Sequence, residues 1–510
     1  MRQPIFEGLV HQEVLSVLRR SRSKIIESRS SLLQLSDIIG CSLIKSLATY
    51  FLRRPLSSQY LNIFLKIPLL FQTKLKMGSI NGMTPTKPFN IAIVGGGLGG
   101  VALAIGLIKQ GVPTHIYEAA AGFGEIGAGV IFGPNSARAL NLIDPAMLHG
   151  FKKCATFNES ADRIHTWLSW RYGMDSRDGN GKKCGDLIWH LEDEESVKLG
   201  YGTRTRCGVH RARFLDELVK LIPDGTVSFR KSLVGIDELS KPEGGGVRLH
   251  FADGSTATAS AVIGCDGIKS KTRGYLFNYK VNPEYTGEYG YRALVPEKLA
   301  REILGDDIAL NSQLYVGYGG FIITYPVEHG KLINMVGVVR NDQPWNHEQW
   351  IVPSTKEDMV KDFEGWHPVL VDLISKFEVR DKWAFFDLIH SEKYYRGRIC
   401  LMGDSAHAST ANLGAGAGMA MEDAYILSSL LGSINDAENL ETAFRAYDSV
   451  RRPRTQKVVV LSRLAGMANE LVAPKIRDDL SKLQPDIDAR YRWVWREDLE
   501  AQLAEAKRHM

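Results

Sequence analysis

The stretch Asn90 to Ala120, NIAIVGGGLGGVALAIGLIKQGVPTHIYEAA, packs five glycines into positions 95–100, between an apolar run and a helix-like run. Ile91-Ala92-Ile93-Val94 reads as a buried strand, and Gly95-x-Gly97-x-x-Gly100 turns the chain sharply into a helix predicted over Val101 to Gln110. A helix that starts on bare backbone leaves its first N–H groups free to face a pyrophosphate. A second strand is predicted at Thr114 to Tyr117, ending in Glu118, whose carboxylate can accept hydrogen bonds from an adenosine ribose. A glycine cluster alone makes ordinary turns. Strand, glycines, helix, strand and carboxylate in this order mark a dinucleotide-binding unit. An acidic residue at 118 fits a ribose that carries a free 2′-hydroxyl, as in NAD or FAD.

The unit begins only at residue 90, and the segment before it differs in charge. Residues 1–76 carry twelve Lys and Arg against four acids (Glu7, Glu13, Glu27, Asp37), so a chain of total charge +5 has a net −3 on the remainder. A near-neutral body gives no reason to expect a nucleic-acid partner. The leading segment is Ser-rich, Arg-rich and acid-poor, a composition shared with organelle transit peptides. Its most apolar run, Tyr60 to Phe71, is broken by Lys66 and Pro68 and is too short to span a bilayer. Residues 1–88 are therefore expected to be a dispensable leader or the product of a mis-assigned start, with Met77-Gly78-Ser79 as the alternative beginning. A mitochondrial targeting role stays open beside a cytoplasmic location. The six cysteines (Cys41, Cys154, Cys184, Cys207, Cys265, Cys400) show no paired spacing, which points to a reducing compartment without a zinc site or disulfide framework.

With 44% hydrophobic and 24% charged residues, the chain has the balance of a globular protein of two or three domains. Tyr172 to Asp186, YGMDSRDGNGKKCGD, reads as a surface loop, and Val247 to Cys265 as a hairpin turning at Asp253-Gly254 into a buried strand. Between Tyr285 and Asp387 aromatic and β-branched segments predict an antiparallel sheet able to wall a pocket. From Gly418 onward the spacing is helical.

Two further motifs follow the first. GCDGIKSKTR, Gly264 to Arg273, ends a strand in Asp266-Gly267 and sets Ser270 and Arg273 on the next helix turn. GRICLMGDSAHASTANLGAGAGMAMEDA, Gly397 to Ala424, runs strand, Gly403-Asp404, loop and glycine-rich helix start. An Asp at a strand end can take a ribityl hydroxyl, and the N–H groups around Gly416 and Gly418 can face a flavin carbonyl or a phosphate. Taken alone, Asp404 reads equally well as a helix N-cap.

The three motifs, in this order and at these separations, resemble the single-component FAD-dependent aromatic hydroxylases, and most of all the salicylate hydroxylase-like group that includes fungal hydroxylases of phenolic polyketides. The resemblance runs over roughly residues 88–508, including GEIGAGVIFGPNSARAL after Glu118 and the terminal YRWVWREDLEAQL. It implies an α/β fold with a Rossmann-like FAD-binding domain (residues 89–280 and 390–475), an inserted antiparallel β-sheet substrate domain (281–389) and a C-terminal helical segment (476–510). It implies non-covalent FAD held through Gly95, Gly97, Gly100, Glu118, Gly129, Arg211 in VHRARFLDEL, Asp266, Asp404 and Ala417. Arg211 has the plainer alternative of a solvated helix charge. The resemblance further implies a pocket pair on neighbouring strands, Arg292 in YGYRALVP holding a phenolate and Tyr325 in IITYPV orienting it. His407 is expected to be structural. Where the family usually has proline after the Gly-Asp motif, this chain has Ala411-Asn412-Leu413.

The function so implied is hydroxylation of a small phenolic substrate by NADPH or NADH and O2, through a flavin C4a-hydroperoxide, with dearomatisation or decarboxylation where the attacked carbon is substituted. No second dinucleotide fingerprint is present, as expected where the nicotinamide cofactor binds transiently. A monomer or homodimer without stable membrane insertion is expected. Two rival readings are a terpenoid epoxidase or reductase of the same superfamily, and a non-catalytic flavin-binding protein using the basic leader as its partner arm.

Overall fold

The computed structural model describes residues 86–510 apart from 125–128, 178–180, 194–197, 199–206, 241–244, 377–378 and 478. The expectations for residues 1–76 and for a start at Met77 lie outside the described residues. Among those described, β1 (Ile91–Val94), β2 (Thr114–Tyr117) and β3 (Gly129–Phe132) come first, followed by β4 (Thr166–Tyr172), β5 (Leu187–Glu192) and β6 (Cys207–His210). β7 (Val227–Ser228), β8 (Leu233–Glu238), β9 (Val247–Phe251), β10 (Thr256–Ala259) and β11 (Ala261–Gly264) precede a long central run. That run comprises β12 (Glu284–Pro296), β13 (Gln313–Gly317), β14 (Gly320–Val327), β15 (Leu332–Arg340), β16 (Ile351–Pro353) and β17 (Asp381–Asp387). A hairpin of β18 (Tyr395–Arg396) and β19 (Ile399–Leu401) returns the chain to the first sheet.

The first sheet has the order β18-β19-β11-β1-β2-β7, and β1 pairs in parallel with both β2 and β11. Its central strands are buried on both faces, as parallel strands covered by helices must be, which is why IAIV and AVIG are apolar throughout. The register places Val94 opposite Gly264, and Gly264 opposite Leu401. All three strands therefore end level, and the three motif loops that follow them leave from one edge. Residues up to about 300 apart in sequence are brought together by this alignment alone.

The helix after β1 spans Leu98–Lys109 and so begins three residues earlier than the sequence pattern predicts. Helix propensity argues against glycine at 99 and 100, but contact decides otherwise. A Cβ at Gly100 would lie 2.0 Å from the Gly95 carbonyl oxygen, so the first turn closes onto the strand end only because the side chain is missing.

The second sheet is larger, with the order β16-β17-β12-β15-β14-β13-β4-β5. Its pairs are antiparallel except for β13 with β4, which run parallel. β4 and β5 come from residues 166–192, ahead of the stretch read as the sheet from sequence, so the wall is wider than residues 281–389 alone would make it. TWLSWRY is buried almost throughout, and the strand it pairs with in parallel is about 140 residues away in β13. The predicted hairpin forms β9 and β10, with Gly254 at φ +82 in its turn. The last part is helical, with Gly416–Ser433, Leu440–Asn469, Leu480–Trp495 and Leu499–Arg508. Among the described residues no helix is long and apolar enough to cross a membrane.

Candidate active site

A cavity of about 370 Å³ lies between the motif edge of the first sheet and one face of the second. Its first wall is Gly97, Leu98 and Gly99, then Cys265 and Gly267, then Gly403, Asp404 and the loop into the helix at Gly416. The helices starting at Leu98 and Gly416 have no side-chain cap, so the amide donors of both first turns are left to whatever enters. Arg211 opens the helix Arg211–Val219 and also faces the cavity. Burial lowers its pKa, Asp404 opposes that shift and Arg292 adds to it, so Asp404 and Arg292 each lie within reach of Arg211. Two cations and one carboxylate leave the cavity attractive to anions.

The second wall is made by the sheet's register. Arg292 on β12 pairs with Val336 on β15, Val336 with Ile323 on β14, and Ile323 with Leu314 on β13. These four side chains form one row across four strands, and all four line the cavity. Tyr325, two residues beyond Ile323, stands on the same face, and its hydroxyl donates to the Gly129 carbonyl at 3.1 Å. Gly129 lines the cavity with it, and a Cβ there would sit 2.9 Å from that hydroxyl oxygen. The sequence reading put Arg292 and Tyr325 on neighbouring strands, whereas β15 lies between β12 and β14.

Arg292 is open to the cavity, yet enough protein surrounds it that burial lowers its pKa. The opposing influence is Tyr325, and among the described residues no carboxylate contributes. Its guanidinium lies 5.3 Å from the centre of the Trp383 ring, a cation–π contact that fixes the side chain without neutralising it.

The structure thus brings Gly97, Gly129, Arg211, Arg292, Tyr325, Asp404 and Ala417 to one cavity. It does not bring Gly95, Gly100, Glu118 or Asp266 to the lining. Gly95 and Gly100 serve the tight turn beneath it. The Glu118 carboxylate accepts hydrogen bonds from the Gly96 amide at 2.6 Å and the Ala120 amide at 2.7 Å, closing the glycine loop onto the end of β2. Asp266 accepts from the Ser270 hydroxyl at 2.6 Å and from the Lys271 and Thr272 amides at 2.8 and 3.0 Å. Its side chain is committed to the start of the helix Lys271–Phe277, and its neighbours Cys265 and Gly267 line the cavity instead. Asp404 shows the reverse: the N-cap of its short helix is Gly403, and Asp404 is exposed at the cavity. His407 is buried against Asp423, with Nε2 2.6 Å from Oδ2. Sequence reasoning missed the apolar row and also Trp167 and Tyr491, and it singled out Ala411-Asn412-Leu413 only as a departure from the family's proline. Alternation along KLINMVGVV and GGFIITYPV carried a signal for the row, but which face met the nucleotide sheet was not encoded locally.

Two uncapped helix starts, a cradle of backbone kept bare by glycine, and a partly cationic interior fit an anionic dinucleotide bearing a flat ring, and so define a flavin-dependent enzyme. Comparison with known proteins agrees. Residues 190–462 match the family described as FAD binding domain. The chain is 39% identical to 6-methylsalicylate 1-monooxygenase of Aspergillus terreus over 83% of its length and 93% of that protein. It is 33% identical to salicylate hydroxylase of Pseudomonas putida over 82% and 94%. A solved salicylate hydroxylase substrate complex superposes with a TM-score of 0.71 at 32% identity, covering 82% of this chain and 98% of that one. The chain belongs to the salicylate hydroxylase-like FAD-dependent monooxygenases. These relatives are enzymes, which sets aside the reading as a non-catalytic binder, and their hydroxylase names do not favour the terpenoid epoxidase or reductase.

Proposed function

We propose that this monooxygenase hydroxylates a small phenolic substrate, of salicylate or aromatic-polyketide type, held as its phenolate by Arg292. The observation that carries the reading is a guanidinium set among Val336, Ile323, Trp383 and Phe385 with no carboxylate among the described residues to neutralise it. A cation that faces an apolar cavity and has no carboxylate partner among the described residues is stabilised by an anionic ligand. The cavity is lined by apolar side chains beside that cation, which suits an aromatic ring bearing one oxyanion.

FAD would be held by the amides of the two helix starts, by Arg211 and by Asp404, in the cavity that Gly129 and Ala417 also line. Glu118, at the end of β2, keeps carboxylate lone pairs beyond its two backbone contacts and would take the adenosine ribose. When bound and reduced by NADPH or NADH, the flavin activates O2 for transfer to carbon. The chain's own residues do the rest. Arg292 lowers the phenol's pKa by pairing with its anion, which raises electron density at the ring carbons ortho and para to oxygen. Tyr325, braced on the Gly129 carbonyl, fixes which of those carbons faces the oxidant. The apolar row excludes water from the reacting face.

The test is NADH or NADPH oxidation by the FAD-loaded protein in the presence of salicylates, resorcylic aldehydes and larger phenolic polyketides, with product analysis. A phenol that accelerates oxidation and appears as its hydroxylated product supports the reading. Acceleration by non-phenolic terpenoids alone would overturn it.

A further inference from the structure

Lys269 links the cavity to a second, open cleft of about 560 Å³ that the proposed chemistry does not use. Gly267, two residues before it, lines the cavity, whereas the Lys269 ammonium lies over the Trp350 ring, 4.6 Å from its centre. Trp350 stacks on Phe386, with ring centres 4.0 Å apart and planes 13° from parallel. Tyr285 touches both Phe386 and Trp345, its ring centre 5.7 Å from each of theirs. All four rings line the cleft, and each keeps part of its surface open to water. A contiguous run of exposed rings marks a surface that something else covers. β17 serves both places: Phe385 lines the cavity, and Phe386, on the opposite face of the strand, lines the cleft. Only the three-residue edge strand β16 lies beyond β17, and Trp350 immediately precedes it. The route from cleft to cavity therefore runs around the edge of the sheet, where Lys269 stands.

Reduction of the flavin draws on NADPH or NADH, yet the chain has no second glycine fingerprint to hold either. Stacking needs no such fingerprint, because a purine laid on an indole is held by its π-face, and its mark in a sequence is tryptophan instead of glycine. Lys269 is exposed, and a cation over an exposed ring is a weak contact that a base can replace. The displaced ammonium is then in place to pair with a diphosphate. Asp342 also lines the cleft, and Arg340 at 3.5 Å offsets its charge. Among flat ligands a dinucleotide answers all of these features, since it carries a purine, a diphosphate and a far end that has to reach the flavin.

We propose that this cleft docks the adenosine end of the nicotinamide dinucleotide, with the adenine stacked on Trp350 and the diphosphate paired with Lys269. This rests on the use of NADPH or NADH stated above but not on the phenol assigned there, so its test uses FAD-loaded protein with no phenol present. The probe is ADP-ribose, which carries the adenine and the diphosphate but no nicotinamide, with ribose 5-phosphate as the partner that lacks the base. Binding is read by calorimetry and by quenching of tryptophan fluorescence. ADP-ribose should bind saturably with quenching, ribose 5-phosphate should do neither, and NAD+ or NADP+ should displace ADP-ribose. Trp350→Leu, which keeps an apolar side chain and loses the flat face, should raise the Kd by roughly five- to a hundred-fold, the worth of one base stack, and Trp350→Phe should recover part of it. Lys269→Ala should weaken ADP-ribose binding and flatten its dependence on salt, and Lys269→Arg should restore both. The proposal is overturned if the parent shows no saturable binding of ADP-ribose, if neither oxidised dinucleotide displaces it, or if a phenol does, which would put the probe in the cavity. It is equally overturned if either Trp350→Leu or Lys269→Ala binds ADP-ribose as the parent does, including the case where Trp350→Leu instead changes self-association of the chain. Should Trp350→Leu fail to fold, Lys269→Ala, which removes an exposed side chain, and the parent's own titrations still decide.

Discussion

Arg292 is where the proposed chemistry is most exposed to test. Arg292→Ala should keep FAD and fold, since the side chain forms no ion pair, but should lose a charge-assisted hydrogen bond worth roughly 1.5–3 kcal/mol, or about ten- to a hundred-fold in kcat/KM. Its activity should recover as pH rises toward the phenol's own pKa, because deprotonation then needs no help. Arg292→Lys should restore only part, for an ammonium does not reproduce the planar fork. Tyr325→Phe should cost less and change the ratio of hydroxylated products, as a lost brace on Gly129 affects aim more than charge. Activity of Arg292→Ala at the parental rate across pH would return Arg292 to a purely structural role. At this scale the family resemblance marked Arg292, Tyr325, Arg211 and Asp404, and all four stand in the lining of one cavity, where their roles are what the variants above test. The sequence could not show that the Asp266 carboxylate is used up by a helix start, because donors four to six residues away become partners only once the turn is formed.

Among the elements, the helices Gly416–Ser433 and Leu440–Asn469 are joined by charge as much as by apolar packing. Glu422 binds Arg451 at 2.7 Å and Arg454 at 2.8 Å, and Asp423 binds Arg451 at 2.7 Å while accepting from the Gly403 amide at 3.0 Å. The same carboxylate therefore anchors the Gly-Asp turn that presents Asp404. Removing one member of a buried pair strands the others, so Arg451→Met should lower stability by about 3–5 kcal/mol and weaken FAD binding together, read as a shifted urea midpoint and flavin release. A loss of stability with unchanged FAD affinity would separate the network from the turn. The periodicity of MEDAYILSSLL foretold a helix but not that two of its acids face inward, since their partners sit about 30 residues downstream. Likewise the sequence reading placed no strand at β4, whose partner β13 lies about 140 residues away.

Taken as a whole, the molecule should respond to acid in a manner set by that network. Glu422 is pushed down to about 2, since the attraction of Arg454 and Arg451 outweighs a large burial penalty, and Asp423 is held lower still by His407 and Arg451. Groups depressed in the folded state contribute stability that is complete above their ordinary values of 4.5 and 3.8 and is lost as pH falls through the folded ones. Urea midpoints should accordingly drop steeply between about pH 5 and 2 in the parent and more gently in Arg451→Met. Equal slopes in the two proteins would place the acid sensitivity elsewhere. At this scale the order of three motifs revealed the class of fold, while the register that lines up Val94, Gly264 and Leu401 became visible only in three dimensions.

On the proposed placement of the phenolate, the row Arg292, Val336, Ile323, Leu314 would also work as a measuring scale. Adjacent strands stand about 4.8 Å apart, so an oxyanion fixed at Arg292 marks zero and each further strand adds one graduation to the length of ring system that fits. Enlarging a graduation should shorten the scale: Ile323→Phe should exclude multi-ring phenols while sparing single-ring ones, and Leu314→Phe should exclude only the longest. Competition assays with phenols of one, two and three rings would read those marks, and uniform loss across all three sizes would show that the row sets no length. A pathway needing a different phenol could then obtain it by rewriting two side chains on β13 and β14, leaving the flavin's own wall untouched.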